Sequence, residues 1–321
     1  MRTRPLRDLF ARALGLPASV GHPANSVRDS NAEPEHAPTR RIMSELRWTC
    51  TQLELLGRTT LPHLVRAFGR LEARLARPLR VAIAGEFNSG KSSLANLLLG
   101  IESLPTAVVA STRIPTLLYY AAVPEIWAIR LGGQRQRLRG RKDLFERSIL
   151  RLEVGLPSPR LRKIHLIDLP GLADPRFDRG PADPFLLNMD LLLWCTVATQ
   201  AWKESERAAW EQLPARLRAR ALLIVTHGDL LREAGDKEKL MLRLRRDAGG
   251  FHDIVVISTS DALALVRENR ERSIGPAWHA SGADTLETTF DQLLVKVRKQ
   301  RTEAAFAVTG RMAQRALARL Q

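Results

Sequence analysis

The stretch LRVAIAGEFNSGKSSLANLLLG, residues 79–100, decides the fold. It begins with a short apolar run of the kind that forms a buried parallel strand, and it ends with the leucine-rich pattern of a helix. Between them, residues 85–93 read GEFNSGKSS and contain Gly-x-x-x-x-Gly-Lys-Ser. Because such a loop places backbone N–H groups at a helix N-terminus, it binds phosphate. The sequence therefore predicts a phosphate-binding loop whose N–H groups, from Asn88 to Ser93, face one concavity.

The side chains of this loop have separate expected roles. Lys91 is expected to reach the β- and γ-phosphates of a nucleotide, and the Ser92 hydroxyl is expected to ligate Mg²⁺. Mg²⁺ is therefore the expected cofactor. The loop residues expected to bind nucleotide are Gly85, Asn88, Ser89, Gly90, Lys91, Ser92 and Ser93.

A second motif, IDLPG, ends the apolar run at residues 163–169. Asp168 lies where a P-loop protein places the carboxylate that holds Mg²⁺ through water, and Gly171 is expected to offer its N–H to the γ-phosphate. The next residue, Leu172, occupies the position at which small Ras-type GTPases carry a water-orienting glutamine. Since leucine cannot orient water by hydrogen bonding, another group has to do so.

A threonine between these two motifs is the expected switch residue. In PTAVVASTRIPT, residues 105–116, Thr112 is the candidate that contacts Mg²⁺ through its hydroxyl, and Ser111 and Thr116 stay open as alternatives. The predicted catalytic residues are thus Lys91, Thr112, Asp168 and Gly171, and the predicted Mg²⁺ ligands are Ser92, Thr112 and Asp168.

The motif THGD, residues 226–229, follows another apolar run and is the candidate base-reading loop. GTPases carry Asn/Thr-Lys-x-Asp here, and the aspartate accepts the guanine N1–H and N2–H₂. Asp229 fits that role and Thr226 fits the first position, whereas His227 replaces the lysine that packs along the base. In ISTSDALAL, residues 257–265, Ser258 occupies the slot of the last guanine-contacting loop. The alternative for THGD is a turn at a strand end with a capping aspartate.

Apolar runs alternate with helical patterns through most of the chain, which predicts a three-layer α/β domain with a mostly parallel central sheet. This GTPase-type domain is assigned to residues 79–280. An N-terminal amphipathic helix within 41–78 and a C-terminal one within 281–321 are expected to pair as a short bundle. The expected strands are residues 79–85, 114–120, 125–131, 163–169, 189–198, 219–226 and 253–259.

Residues 1–40 combine a basic amphipathic segment with a linker rich in Pro, Ser, Asn and Ala. Three interpretations stay open for them: a helix on a membrane surface, an organelle transit peptide, and a loosely docked tail. The two cysteines lie far apart in the sequence, and no apolar run approaches the length of a membrane span. A reducing cytoplasm is therefore the expected location, with peripheral contact at the inner face of the membrane.

The net charge of +16 favours a polyanionic partner. Nucleic acid, an acidic membrane face and a phosphorylated ligand each fit that charge. Only eight of the 50 basic residues are lysines, and such an arginine excess also arises from genome composition. The charge therefore narrows the class of partner without selecting one.

The segment GEFNSGKSSLANLLLGIESLPTAVVASTRIPT resembles the opening of the GTPase domain of bacterial dynamin-like proteins. The segments IDLPGLAD and DLLLWCTVATQAWKESE are similar to later parts of that domain. The resemblance covers about residues 41–321, and it implies GTP hydrolysis stimulated by a homodimer formed across the nucleotide face. The sequence departs from the family at Ala110 and His227 and in the degraded loop at Ser258, and it stops where a dynamin begins its helical stalk.

Three functions are consistent with these observations. The first is a dynamin-like GTPase with low basal turnover, acting at an anionic membrane or with a separate partner that bears a stalk. The second is an Era-like GTPase associated with the ribosome or RNA. The third is a nucleotide-gated scaffold with little turnover, suggested by His227 and by the degraded last loop.

Overall fold

The structure is a computed structural model that describes residues 48, 55, 62–101, 114–138, 149–169, 188–233, 235–269 and 275–318. The predictions for residues 1–40, Thr112, Gly171 and Leu172 lie outside the described residues. The chain divides into two compact units. One spans Pro78–Val297, and the other combines Met1–Arg77 with Arg298–Gln321.

The described strands of the larger unit form one nine-stranded sheet in the order β4-β3-β5-β2-β6-β1-β7-β8-β9. Strands β6, β1, β7, β8 and β9 run parallel to one another, whereas β2 is antiparallel to β6 and β3 is antiparallel to both β4 and β5. The strands are β1 (Leu79–Gly85), β2 (Thr116–Tyr120), β3 (Glu125–Arg130), β4 (Arg135–Arg137), β5 (Ile149–Leu156), β6 (Ile164–Asp168), β7 (Leu191–Val197), β8 (Ala221–Thr226) and β9 (Asp253–Val256).

The helices alternate with the strands over much of the larger unit. The described helices of the whole chain are α1 (Pro62–Ala76), α2 (Lys91–Leu99), α3 (Glu204–Glu211), α4 (Ala215–Arg218), α5 (Asp236–Asp247), α6 (Thr259–Asn269), α7 (Pro276–Ser281) and α8 (Ala283–Ala318). Of these, α1 belongs to the smaller unit and α8 has residues in both units. The predicted α/β fold with a mostly parallel sheet is thereby confirmed.

The core of the larger unit has two layers, one on each face of the sheet. Successive side chains of a strand point to opposite faces, so Val81 and Ile83 pack with α2 and α6 while Ala82 and Ala84 pack on the side of α3 and α5. All four side chains are buried. Replacing a large side chain in such a core by alanine costs about 2–5 kcal/mol. This packing fixes β1, and with it the start of the glycine-rich loop.

Strand β5 is absent from the sequence prediction. Its sequence ILRLEVGL alternates, with Leu152 and Val154 buried and Arg151 and Glu153 more exposed. The prediction relied on continuous apolar runs, which is the pattern of strands covered on both faces. Because only one face of β5 is well covered, its sequence is not a continuous apolar run. The short strand β4, with the exposed sequence RQR, is absent from the prediction for the same reason.

The C-terminal helix differs from its predicted place. The prediction assigned residues 281–321 to a separate bundle with the N-terminal helix, but the first part of α8 packs inside the larger unit. Leu286, Phe290, Leu293 and Val297 are buried in the same cluster as the strands β1 and β6. Apolar periodicity predicts the helix and its buried face, but it does not identify the surface that covers that face. The sequence therefore did not reveal that the first part of α8 packs in the larger unit.

The described part of the smaller unit is mainly α1 and the residues of α8 from Arg298 onward. Within it, Nη2 of Arg301 donates hydrogen bonds to the carbonyls of Leu75 (3.2 Å) and Arg77 (3.0 Å), at the C-terminal end of α1. A cation at this position is favourable because helix C-termini leave carbonyls without partners and carry negative partial charge. Across the described residues, no helix has both the length and the apolar character that a membrane crossing needs.

Candidate nucleotide-binding site

The glycine-rich loop joins the end of β1 at Gly85 to the start of α2 at Lys91. Its turn requires two residues with positive φ, Asn88 (59°) and Gly90 (79°). Asparagine tolerates this left-handed region better than most residues, and glycine enters it without strain. The backbone of the loop is therefore set by residue types that the sequence supplies at the right places.

Both glycines also allow close contacts to neighbouring strand ends. A Cβ atom added to Gly85 would lie 2.2 Å from the carbonyl oxygen of Cys195, and one added to Gly90 would lie 3.2 Å from the Thr226 side chain. The first contact is impossible without moving β1 or β7. The loop is thus seated directly on the ends of β7 and β8.

A pocket of about 350 Å³ opens in front of this loop. Most of the predicted phosphate and Mg²⁺ residues in the described part of the chain meet here. Its lining residues are Phe87, Asn88, Ser89, Gly90, Lys91, Ser92, Ser93, Asp168, Leu169 and His227.

The Lys91 ammonium lies close against the loop. Its Nζ donates hydrogen bonds to the carbonyls of Glu86 (2.6 Å) and Gly85 (3.2 Å). Burial lowers the pKa of Lys91, while the nearby Asp168 opposes that shift. Neutral carbonyls do not cancel the positive charge of this partly buried ammonium. Lys91 can therefore still attract an anionic ligand.

Asp168 ends β6 and lies beside Ile83 of β1 in the parallel register. Its Oδ1 is buried and has no hydrogen-bond donor among the described residues. Burial raises the pKa of Asp168 to about 6, and the charge of Lys91 acts in the opposite direction. An unpartnered carboxylate oxygen in a pocket that also contains the Ser92 hydroxyl is the kind of oxygen donor that Mg²⁺ prefers. The residues present therefore fit a Mg²⁺ ion.

The end of β8 forms the other side of the site. His227 lines the pocket and adopts a left-handed backbone conformation with φ of 56°. Asp229 lies two residues further on, is exposed, and accepts hydrogen bonds through Oδ1 from the hydroxyls of Ser258 (3.1 Å) and Ser260 (3.3 Å). Two hydroxyl donors on one oxygen fix the orientation of this carboxylate.

Thr226 is buried beneath the loop and does not line the pocket. Its Oγ1 lies within hydrogen-bond distance of the carbonyls of Ser89 (3.0 Å) and Thr196 (3.1 Å) and of Nδ1 of His227 (3.0 Å). Because the hydroxyl has one proton and a carbonyl can only accept, the arrangement is satisfied when the hydroxyl donates to a carbonyl and accepts from Nδ1–H. Thr226 thus connects the glycine-rich loop to the candidate base-reading loop, residues 226–229.

The predicted residues are therefore grouped unequally. Asn88 to Ser93, Asp168 and His227 share the pocket, whereas Gly85, Thr226, Asp229 and Ser258 lie behind or beside it. Thr116, the described alternative for the switch threonine, begins β2 opposite Asp168, and its Oγ1 donates to the carbonyl of Ile114 (3.1 Å).

Several neighbours of the site were not among the predicted residues. Lys203 and Ser205, at the start of α3, both contact the Glu86 carboxylate, and Ser260 contacts Asp229. The segment Lys203–Glu206 carries a sequence signal, because a glutamate three residues after a helix start can accept from the backbone there. Its contact with Glu86 has no local signal, since the two residues are 117 positions apart.

A strand, a Gly-x-x-x-x-Gly-Lys-Ser loop, a helix, and a carboxylate at the end of the adjacent parallel strand together define a P-loop nucleotide-binding domain. Residues 81–227 match the family model described as the dynamin family. Over these residues the larger unit is accordingly a P-loop domain similar to the GTPase domain of the dynamin family.

Individual relatives agree with this assignment. The chain is 37% identical over 111 residues to the isoniazid-induced protein IniC of Mycobacterium tuberculosis, covering 32% of this chain and 22% of that protein. It is 33% identical over 150 residues to dynamin-like protein 2 of Campylobacter jejuni, covering 42% of this chain and 23% of that protein. The chain thus spans about a quarter or less of the length of these relatives.

A solved structure of a bacterial dynamin pair shares the fold. It aligns with a TM-score of 0.52 at 20% identity and covers 87% of this chain and 43% of that chain. That oligomerised pair is described as providing a mechanism for the long-range sensing and tethering of membranes.

Proposed function

We propose that this chain binds GTP with Mg²⁺ and hydrolyses the GTP to GDP and phosphate. The observation that carries the proposal is the buried Oδ1 of Asp168, which has no hydrogen-bond donor among the described residues and lies in one pocket with Lys91 and the phosphate loop. A carboxylate is expensive to bury without a partner, so its presence here is best explained by a cation that the site is built to take. Dynamin-family GTPases as a class use Mg²⁺ with GTP.

In the proposed mechanism this chain's residues position the triphosphate and neutralise its charge, because phosphoryl transfer needs little covalent assistance from the protein. The N–H groups from Asn88 to Ser93 receive phosphate oxygens, and Lys91 moves from its loop carbonyls to the β- and γ-phosphates. Ser92 and Asp168, with Thr112 from the predicted switch, would hold Mg²⁺. When bound, the ion supplies further charge neutralisation at the phosphates. Gly171 keeps its predicted role as an N–H donor to the γ-phosphate.

Guanine is proposed to bind at Asp229. A carboxylate accepts both the N1–H and the N2–H₂ of guanine, whereas adenine offers no matching pair of donors at those positions. Two serine hydroxyls already orient Asp229, so little ordering remains to be done on binding. His227 lines the pocket on this side, and its ring is proposed to pack along the base in place of the lysine stem.

A second copy of the chain is proposed to complete the catalytic site. Phe87 lies within the phosphate loop, lines the pocket and has 72% of its surface exposed. This exposed aromatic side chain at the rim of the pocket is proposed to form part of a contact surface. A homodimer across the nucleotide face would cover Phe87 and bring a water-orienting group to a site whose own Leu172 cannot supply one.

Phosphate release measured across a series of protein concentrations tests this proposal. Specific activity with GTP is expected to be low in dilute solution and to rise as the dimer forms. In the Phe87→Ser variant, the rise relative to its own dilute value should be largely lost. The matched control is Leu242→Ser, which removes an equally exposed apolar side chain (75%) on α5 and should retain the rise. A strictly constant specific activity of the wild type would refute the dimer, and GTP binding without turnover at any concentration would favour the scaffold function.

Action at the cytoplasmic face of an anionic membrane, alone or with a partner that bears a stalk, is the proposed setting. The net charge of +16 supports it, as does the membrane-tethering description of the bacterial dynamin pair. Co-sedimentation with anionic and with neutral vesicles should show binding to the anionic ones only, weakening with salt. Preferential co-sedimentation with RNA in a parallel arm would instead favour the Era-like function.

A further inference from the structure

The phosphate loop contains a carboxylate that its motif does not require. Glu86 occupies one of the four free positions of Gly-x-x-x-x-Gly-Lys-Ser and precedes the exposed Phe87. Its backbone carbonyl accepts the 2.6 Å hydrogen bond from Nζ of Lys91, so the residue belongs to the same small structure that is proposed to take up phosphate. A negative side chain in this place opposes the binding of another anion.

The Glu86 side chain is engaged on both oxygens by residues from the start of α3. Oε2 accepts from Nζ of Lys203 at 3.0 Å, and Oε1 accepts from the hydroxyl of Ser205 at 2.6 Å. The Ser205 hydrogen bond and the Lys203 charge hold the pKa of Glu86 below its ordinary value, against the effect of burial. The carboxylate therefore stays ionised near neutral pH, and its charge has to be balanced by neighbours.

Lys203 is itself fixed by a buried network. Its backbone N–H donates to Oε2 of Glu206 at 3.0 Å, and this buried glutamate also accepts from Oγ1 of Thr196 at 2.9 Å. The preceding residue, Trp202, has a φ of 63° and donates its N–H to the same threonine oxygen at 3.2 Å. A bulky residue in the left-handed region is retained only where the surroundings demand it. The backbone that presents Lys203 to Glu86 is thus held in one conformation.

We propose that Lys203 and Ser205 are positioning residues that neutralise and restrain Glu86 so that the phosphates of a nucleotide can enter the loop. This inference rests on the proposed nucleotide-binding function. Lys203 acts on the nucleotide through Glu86 and does not need to touch it. Loss of the lysine leaves an unbalanced negative charge in the phosphate loop. When both charges are lost, the Glu86 carboxylate no longer repels the phosphates, and the compensating charge of Lys203 is no longer needed.

The test is a double-mutant cycle on GDP affinity, measured with a fluorescent GDP analogue and Mg²⁺. Lys203→Met should weaken binding about fivefold, a modest effect because the pair is partly exposed, with 42% of the Lys203 side chain and 25% of the Glu86 side chain accessible. Glu86→Gln should bind as well as wild type or better. The double variant should recover to within about twofold of Glu86→Gln. Ser205→Ala should show a smaller loss in the same direction.

Two further readouts separate charge balance from damage to the fold. The deficit of Lys203→Met should shrink between about 0.05 M and about 0.5 M salt, because salt screens exposed charges. Lys203→Arg, which keeps the charge, should stay within about twofold of wild type. The matched control is Lys237→Met, which removes one exposed lysine charge on α5 and should leave affinity unchanged.

The outcomes are decisive in both directions. A double variant as weak as Lys203→Met would mean that the lysine acts directly or through folding, and it would overturn the inference. Unchanged affinity in Lys203→Met, or an equal loss in Lys203→Arg, would overturn it as well. Failure of the wild type to bind guanine nucleotide would instead refute the proposed function, so the two failures are distinguishable.

Discussion

The two sides of the candidate site are built in different ways. The phosphate side, residues 85–93 with Asp168, relies on backbone N–H groups, on glycines packed against strand ends, on the buried Oδ1 of Asp168 and on the partly buried Lys91 ammonium. The base side, residues 226–229 with 258–260, relies on an exposed aspartate that two serine hydroxyls orient. In the proposed GTP site, local backbone geometry would specify phosphate binding, whereas base selection would depend on side chains from separate strand ends.

The largest expected effect comes from Lys91 on the phosphate side. Lys91→Ala should lower GTP hydrolysis about 100- to 1000-fold, because it removes a cation aimed at the charge that develops on the phosphates. The affinities for GTP and for ATP should fall by factors equal to each other, since the phosphate side does not contact the base. Both are measured by phosphate release and by nucleotide titration. Lys237→Met serves as the control for loss of a lysine charge. A change in the GTP-to-ATP preference of Lys91→Ala would contradict the claim that the phosphate side does not select the base.

Asp168→Asn should stabilise the protein while it impairs the proposed Mg²⁺ site. The folded-state pKa of about 6 exceeds the ordinary value of 3.8. The contribution that the protonated carboxyl makes to the free energy of unfolding is therefore fully present below pH 3.8, and it is lost as the pH rises through about 6. Above that pH the buried charge costs on the order of 3 kcal/mol. Without Mg²⁺ and nucleotide, the variant should melt several degrees above wild type near pH 8, and the difference should shrink near pH 4.5. A lower melting temperature of the variant at both pH values would contradict this.

Asp229→Asn should change base selection and leave phosphate recognition intact. Loss of a charged acceptor for guanine should reduce the preference for GTP over ATP about 10- to 100-fold. ATP affinity should stay unchanged, which a competition titration measures directly. An unchanged preference would remove the base-reading role from Asp229.

Ser260→Ala gives the smallest effect and refines the base side. The hydroxyl of Ser260 lies 3.3 Å from Oδ1 of Asp229, a longer contact than the 3.1 Å from Ser258. We expect the GTP-to-ATP preference to fall about threefold in Ser260→Ala, and further in the variant that also carries Ser258→Ala. Equal losses of GTP and ATP affinity would indicate a structural role only.

The same division explains what the sequence allowed us to predict. The phosphate loop is a local motif, so its strand, loop and helix were predicted within residues 79–100, and the strand (Leu79–Gly85) and helix (Lys91–Leu99) lie there in the structure. Ser260 and the contact of Lys203 with Glu86 were not predicted, because they join residues 31 and 117 positions apart. Contacts of this kind depend on strand order, which hydrophobic pattern does not give.

The fold shows the same limit. Strands β7 and β8 are buried on both faces and were recognised as continuous apolar runs, whereas β5, with its alternating pattern, was not. The buried face of α8 was recognised, but not that its first part packs in the α/β unit. The apolar periodicity of a helix indicates that one face is buried. Which element packs on that face depends on the tertiary structure.

The central claim is that the pocket between the two sides is a GTP site, and competition of GDP and ADP for a bound fluorescent guanine nucleotide tests it most directly. With wild-type protein and Mg²⁺, GDP should displace the probe at a concentration at least about tenfold lower than ADP. Equal displacement by the two nucleotides, or no binding of the probe, would contradict the account.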